Sequence, residues 1–117
     1  MAVSAKVRRL VFDRDGRMCA NCGIDDMLTI QHRANRGMGG SKLRDGYENL
    51  MTLCHWCNGR LESNAEFAAI GIDKGWKLRS WDDPLKVPVF FAFDGWYYLT
   101  ERGTRIKRPN GEGGRNG

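Results

Sequence analysis

The chain has no apolar run approaching the ~20 residues that a membrane-crossing helix requires. Its first residues, MAVSAKVRRLVFDRDG, lack the continuous apolar stretch of a secretion signal. Together these absences lead us to expect a cytoplasmic chain, whose cysteines stay reduced. There is no internal repeat. A length of 117 residues leaves room for one domain, with at most an appendage. Histidine is scarce, with His32 and His55 the only two, and cysteine is limited to four positions. Proline occurs three times, and two of the three, Pro84 and Pro88, forbid a helix across DDPLKVPVFF, which therefore reads as extended.

The positive charge is spread unevenly. The formal net charge is +5, made up of +3 over residues 1–64, −1 over 65–100 and +3 over 101–117. Cationic ends favour a polyanionic partner. Ser4 is placed to cap a helix from about Ala5 to Arg14, with Val7, Leu10 and Val11 on one face and Asp15-Gly16 as its stop. MLTIQH has the composition of a short strand. Residues 33–47 are rich in glycine without apolar periodicity and read as a loop. A helix is expected from about Asn58 to Ile70, ended by Gly71. The aromatic runs on either side of Asp94-Gly95 predict a hairpin. Trp76, Trp81, Trp96, Tyr97 and Tyr98 read as the core of the C-terminal strands. The glycine-rich, basic end, GTRIKRPNGEGGRNG, has little to bury and is expected to be disordered.

Cys19 and Cys22 form one C-x-x-C pair, and Cys54 and Cys57 form another. Two such pairs match the ligand pattern of a closed, tetrahedral, all-thiolate zinc site. The competing reading, redox pairs, needs a thioredoxin-like βαβ context that is missing here. Few large aliphatics surround these cysteines, so zinc would act as a folding staple for a small core. A site closed by four sulfurs leaves no open position for a substrate. Any reactive metal must bind elsewhere. His55, inside the second knuckle, reads as facing solvent.

With zinc closing the frame, the order is knuckle, strand, glycine-rich loop, knuckle, helix. His32 ends the strand, Asn49 ends the loop and Asn58 follows Cys57 directly. In CANCG, IQHRANRGMGGS and YENLMTLCHWCNGRLESN the chain resembles the HNH endonuclease family, the ββα-metal nucleases, and most of all its actinobacteriophage and prophage members with a four-cysteine zinc site. DDPLKVPV and GWYYLTERG are similar to the tail strands of the same group, so the resemblance spans roughly residues 5–103. It implies a small α+β fold. A zinc-stapled ββα-metal module over 1–72, including the N-terminal helix, would be followed by an extended segment and hairpin over 73–102 and a basic tail over 103–117.

The resemblance also implies roles. His32 matches the general base that takes a proton from water lined up on a DNA phosphodiester, a task suited to an imidazole with an ordinary pKa of about 6.5. Asn49 matches the asparagine that holds the loop and orients the base. Asn58 matches a ligand of a catalytic Mg²⁺, Mn²⁺ or Ni²⁺ ion, which would stabilise the departing oxygen. Gln31 stands where the family usually carries a charged metal ligand. Its amide oxygen can bind a hard cation but brings no charge. Asp45, Glu48 or Glu62 could supply a carboxylate instead. Arg33, Arg36, Lys42 and Arg60, with Arg44, flank the site as expected phosphate contacts. DNA is the expected partner. Phage terminase subunits would be further partners if the chain is phage-encoded and serves genome packaging, and the host cytoplasm would then be its location. Oligomeric state is unspecified, and with it nicking or double-strand cleavage. Two other functions fit the same residues: a zinc-containing DNA-binding module without catalysis, and a protein-interaction zinc module.

Overall fold

The computed structural model describes residues 3–34 and 45–109. Among them are three α-helices, α1 (Ala5–Arg14), α2 (His55–Ser63) and α3 (Ala65–Asp73), and two small sheets. The first sheet pairs β1 (Leu28–His32) with β2 (Leu50–Cys54). The second carries β3 (Val89–Phe91), β4 (Gly95–Leu99) and β5 (Arg105–Lys107) in that order. Both are antiparallel throughout. The fold is thus a small α+β arrangement. No helix among the described residues is long and apolar enough to cross a membrane.

The first helix starts as its cap predicts, with the Ser4 hydroxyl accepting from the Val7 amide. Its buried face is Val11 and Phe12, while Leu10 stays exposed, so the helix is rotated slightly from the expected stripe. The reason lies at its C-terminus. Asp15 is buried, takes Arg14 Nε at 2.7 Å and accepts the Thr52 amide at 2.9 Å. Arg14 also donates to the carbonyl of Leu50. This charged pair pins the end of α1 to β2.

The single helix expected over 58–70 is two helices. Asn64 leaves helical geometry at φ −125° and ψ 115°. Its side-chain oxygen then accepts the Phe67 amide at 2.8 Å and caps α3. Gly71, the expected stop, lies inside α3 against Leu61, where a Cβ would collide with the leucine. The stop falls at Gly75. It has φ +80° and lies so close to the Pro88 carbonyl that no larger residue fits.

The predicted hairpin forms, with Phe91 opposite Gly95. Its turn is Ala92-Phe93-Asp94, and the glycine opens β4. Residues 103–117 are not a disordered tail throughout. Arg105–Lys107 pair with Tyr97–Leu99, because alternate residues of β5 have apolar and aromatic partners on β4. Residues 110–117 lie outside the described part. The C-terminal segment is also no separate appendage. One buried cluster runs from Cys19 through Met51, Leu53, Leu61 and Phe67 to Trp76, Val89, Phe91 and Leu99. Of the aromatics assigned to the core, Trp76 is fully buried. Trp81 is 76% exposed and is not part of the core.

Candidate functional site

The two knuckles meet. The four sulfurs of Cys19, Cys22, Cys54 and Cys57 all lie within 4.8 Å of one another. Cys22 Sγ and Cys54 Sγ are 3.8 Å apart. A disulfide needs ~2.05 Å. A tetrahedron with ~2.3 Å zinc–sulfur bonds has edges of about 3.8 Å. The second knuckle is built by the start of α2, where the Cys57 amide points at Cys54 Sγ. Asn21 Nδ2 donates to Cys57 Sγ at 3.2 Å, an outer contact that supports a thiolate.

The thiols are unequal. Burial pushes the Cys57 thiol up, helped by the neighbouring Cys19 charge and opposed by the Asn21 hydrogen bond. Burial likewise raises Cys22. Burial also works against a Cys19 thiolate, but backbone N–H groups of Cys22, Cys54 and Asn21 outweigh it and hold Cys19 below the ordinary value. A dication would bring all four into the thiolate form. The donor set, four soft sulfurs in a partly buried cluster, fits a structural metal site of the zinc type.

His32 lies at the other end of the same hairpin, opposite Leu50, four residues from the Leu28–Cys54 pair. Its Nε2 is 3.1 Å from Asp45 Oδ1, and the His32 side chain is 21% exposed. Asn49 is fully buried. Its Oδ1 accepts the Ala34 amide at 2.7 Å, its Nδ2 donates to the Ala34 carbonyl at 3.1 Å, and its backbone carbonyl accepts the Arg33 amide. The side chain thus extends the β-ladder past the last strand pair and fixes the chain as it leaves His32.

Three expected contacts are placed differently. Gln31 is buried, and its amide nitrogen donates to the Trp76 carbonyl at 3.0 Å. Strand alternation puts Gln31 and Thr29 on one face and His32 on the other, so Gln31 is not at the His32 site. Asn58 Nδ2 donates to Thr29 Oγ1 at 2.9 Å, three residues back along β1, and ties α2 to that strand. The same Asn58 Nδ2 lies 3.5 Å from the Ile30 carbonyl, two residues before His32, so both amide side chains are hydrogen-bonded to protein groups.

Arg33 is the third correction. It is 1% exposed and cannot meet a phosphate. Its Nε donates to the Gly75 carbonyl at 2.7 Å, Nη1 to the carbonyls of Glu48 and Pro84, and Nη2 to that of Val87 at 2.6 Å. Only a guanidinium has the fork of donors for four carbonyls at once. The residue beside His32 therefore fastens the strand end to the C-terminal segment. Arg60 is exposed, with its guanidinium 4.1 Å from the Phe67 ring centroid. Arg36, Lys42 and Arg44 lie outside the described residues. His55 is exposed, as expected, and packs edge-on against Trp56.

Reading the sequence left Asp45 as one of three possible carboxylates and missed the roles of Arg33 and Asn21. Asn21 had a signal, because a carboxamide inside a C-x-x-C turn lies within reach of the sulfurs. Arg33 had none, because its four acceptors are backbone carbonyls scattered from residue 48 to residue 87.

The hairpin thus carries a four-thiol metal site at one end and a histidine–carboxylate pair at the other. No protein-family model matches the chain, and neither a curated protein nor a solved structure shows significant similarity to it.

Proposed function

We propose that the protein is an HNH-type, metal-dependent endonuclease that hydrolyses DNA phosphodiester bonds, with His32 as general base. The observation that carries this reading is the His32–Asp45 pair at 3.1 Å, at the mouth of a hairpin whose far end is closed by four cysteines. The Asp45 carboxylate beside Nε2 holds the imidazole in one orientation and would stabilise the positive charge it gains on taking a proton from water. The Asn49 clamp on Ala34 keeps the backbone next to that ring from shifting. Asp45 also brings a carboxylate to the site, and carboxylate oxygens are the usual ligands of a hard cation. A magnesium or manganese ion takes one or two such oxygens and leaves its other positions to water and phosphate. That ion would neutralise charge on the scissile phosphate. In this reading Asp45 supplies the negative charge that the neutral Gln31 cannot. A setting in phage genome packaging, with terminase subunits as partners, belongs to the same proposal.

The test is plasmid relaxation. Zinc-loaded protein should nick supercoiled DNA with at least one of Mg²⁺, Mn²⁺ or Ni²⁺, and His32→Ala should lose about 10²-fold or more, as for removal of a general base. Equal cutting by His32→Ala, or no cutting with any of the three ions, would refute the reading. Asp45→Asn should fall between the wild type and His32→Ala.

A second reading has one observation in its favour. Gln31 is buried and donates to the Trp76 carbonyl, on the strand face opposite His32. A zinc-containing DNA-binding module without catalysis fits that arrangement, and salt-sensitive binding with no cleavage would select it.

A further inference from the structure

The second sheet has two unlike faces. Val89, Phe91 and Leu99 point into the core. The opposite face carries a cross-strand row, Phe90 on β3 opposite Trp96 on β4, with Arg108 just past β5 donating its amide to the Trp96 carbonyl. The Phe90 and Trp96 rings are 5.3 Å apart. Arg108 Cζ sits 4.6 Å from the Trp96 ring, and Lys74 Nζ 4.3 Å from the Phe90 ring and 5.9 Å from Trp96. Two half-buried rings therefore lie between two cations. Beside the row, Ile106 is 60% exposed.

The cations on the two sides are handled differently. Arg105 pairs with the Asp94 carboxylate at 2.9 Å, and Lys107 donates to the Asp94 carbonyl. Lys74 and Arg108 have no carboxylate partner among the described residues. Among the described residues the Nη1 atoms of both Arg105 and Arg108 are buried without an acceptor, so the difference between the two sides lies in the Asp94 carboxylate alone. Aromatic faces hold a cation by its charge without neutralising it. The rings fix the positions of two half-exposed cations that no described carboxylate neutralises, in a chain with a net charge of +5.

We infer that the Lys74–Phe90–Trp96–Arg108 row is a nucleic-acid contact surface that binds the phosphate backbone of a DNA strand, separate from the His32 site. The partner is chosen by charge. Two unneutralised cations held along one strip suit successive phosphates, and the flanking rings suit sugar and base edges. The identity of the strand as DNA rests on the nuclease reading. The surface itself rests on the row.

The test is anisotropy of a fluorescein-labelled 20-base-pair duplex with zinc-loaded protein and no added magnesium, across a salt series. Lys74→Gln/Arg108→Gln should weaken binding about tenfold or more and flatten the log–log salt slope by about 1.8, the value for two lost phosphate contacts. Lys86→Gln removes an exposed charge outside the row and should leave a steeper slope than the double variant. An unchanged slope in the double variant, or an equal loss in Lys86→Gln, overturns the inference, as does equal competition by polyglutamate, which would indicate an acidic-protein surface. Should the double variant misfold, amide shifts of wild-type Phe90, Trp96 and Arg108 on titration with the same duplex decide the question, and their absence rejects the surface. Plasmid cleavage separates the two proposals. A protein that binds through the row but never cuts loses the nuclease reading alone. One that cuts while the double variant binds normally loses this surface alone.

Discussion

The two ends of the first hairpin solve one problem with different chemistry. β1 and β2 are five residues each, too short to hold their register alone. At the Leu28–Cys54 end they are fastened by four sulfurs placed for one metal ion. At the His32–Leu50 end they are fastened by the Asn49 carboxamide and the Arg33 guanidinium, which together grip carbonyls and amides from Ala34 to Val87. A metal clip needs only two short C-x-x-C knuckles, each complete within four residues, brought together by the hairpin. A guanidinium clip needs the rest of the chain already in place, because its acceptors are backbone groups. The first end is local and legible, and the second is global and hidden.

The largest expected effect comes from breaking the metal end. Structural zinc contributes roughly 10–16 kcal/mol of apparent binding free energy in zinc-finger peptides. Stripping the metal with a chelator, or making Cys57→Ser, should abolish cooperative unfolding in urea. A metal-free chain with an unchanged transition would contradict the staple. Next comes the guanidinium end. Arg33→Met should cost about 3–5 kcal/mol, because four carbonyls, one buried and three part-buried, lose their donor together. Arg33→Lys should rescue only part of it, since one ammonium cannot reproduce the fork. If Arg33→Met were as stable as wild type, the second clip would have no weight. Asn49→Ala removes two buried hydrogen bonds and should cost about 2–3 kcal/mol, while also blurring the position of His32. Asn58→Ala, on the partly exposed β1–α2 contact, should cost about 1 kcal/mol. Calorimetry of the last two variants gives their order, and a larger loss at Asn58 would reverse it.

How much was readable follows the same division. The cysteine pairs, the Ser4 cap and the strand ending at His32 are short-range signals that appear where spacing put them, and the hairpin forms with its turn one residue earlier than Asp94-Gly95 implied. The break at Asn64 was also local, since asparagine with an open amide three residues on is a cap, but the apolar pattern ran through it. The misplaced residues all have partners far along the chain. Gln31 meets Trp76, 45 residues on, and Arg33 meets Val87, 54 residues on. A polar residue beside a candidate catalytic histidine reads as part of the site until its distant carbonyl is known. Strand alternation alone already separates Gln31 from His32. β5 was missed because its reason to form is the β4 edge beside it, and its three residues carry two charges within a glycine-rich stretch.

The span of the Arg33 contacts also bears on synthesis. Its last acceptor, the Val87 carbonyl, emerges well after both knuckles have formed. A nascent chain can load its metal early, yet it must carry an unsatisfied guanidinium beside the histidine until the following segment arrives. Maturation of the His32 end is therefore gated by translation of residues far downstream, and a product truncated before them would be metallated but incomplete.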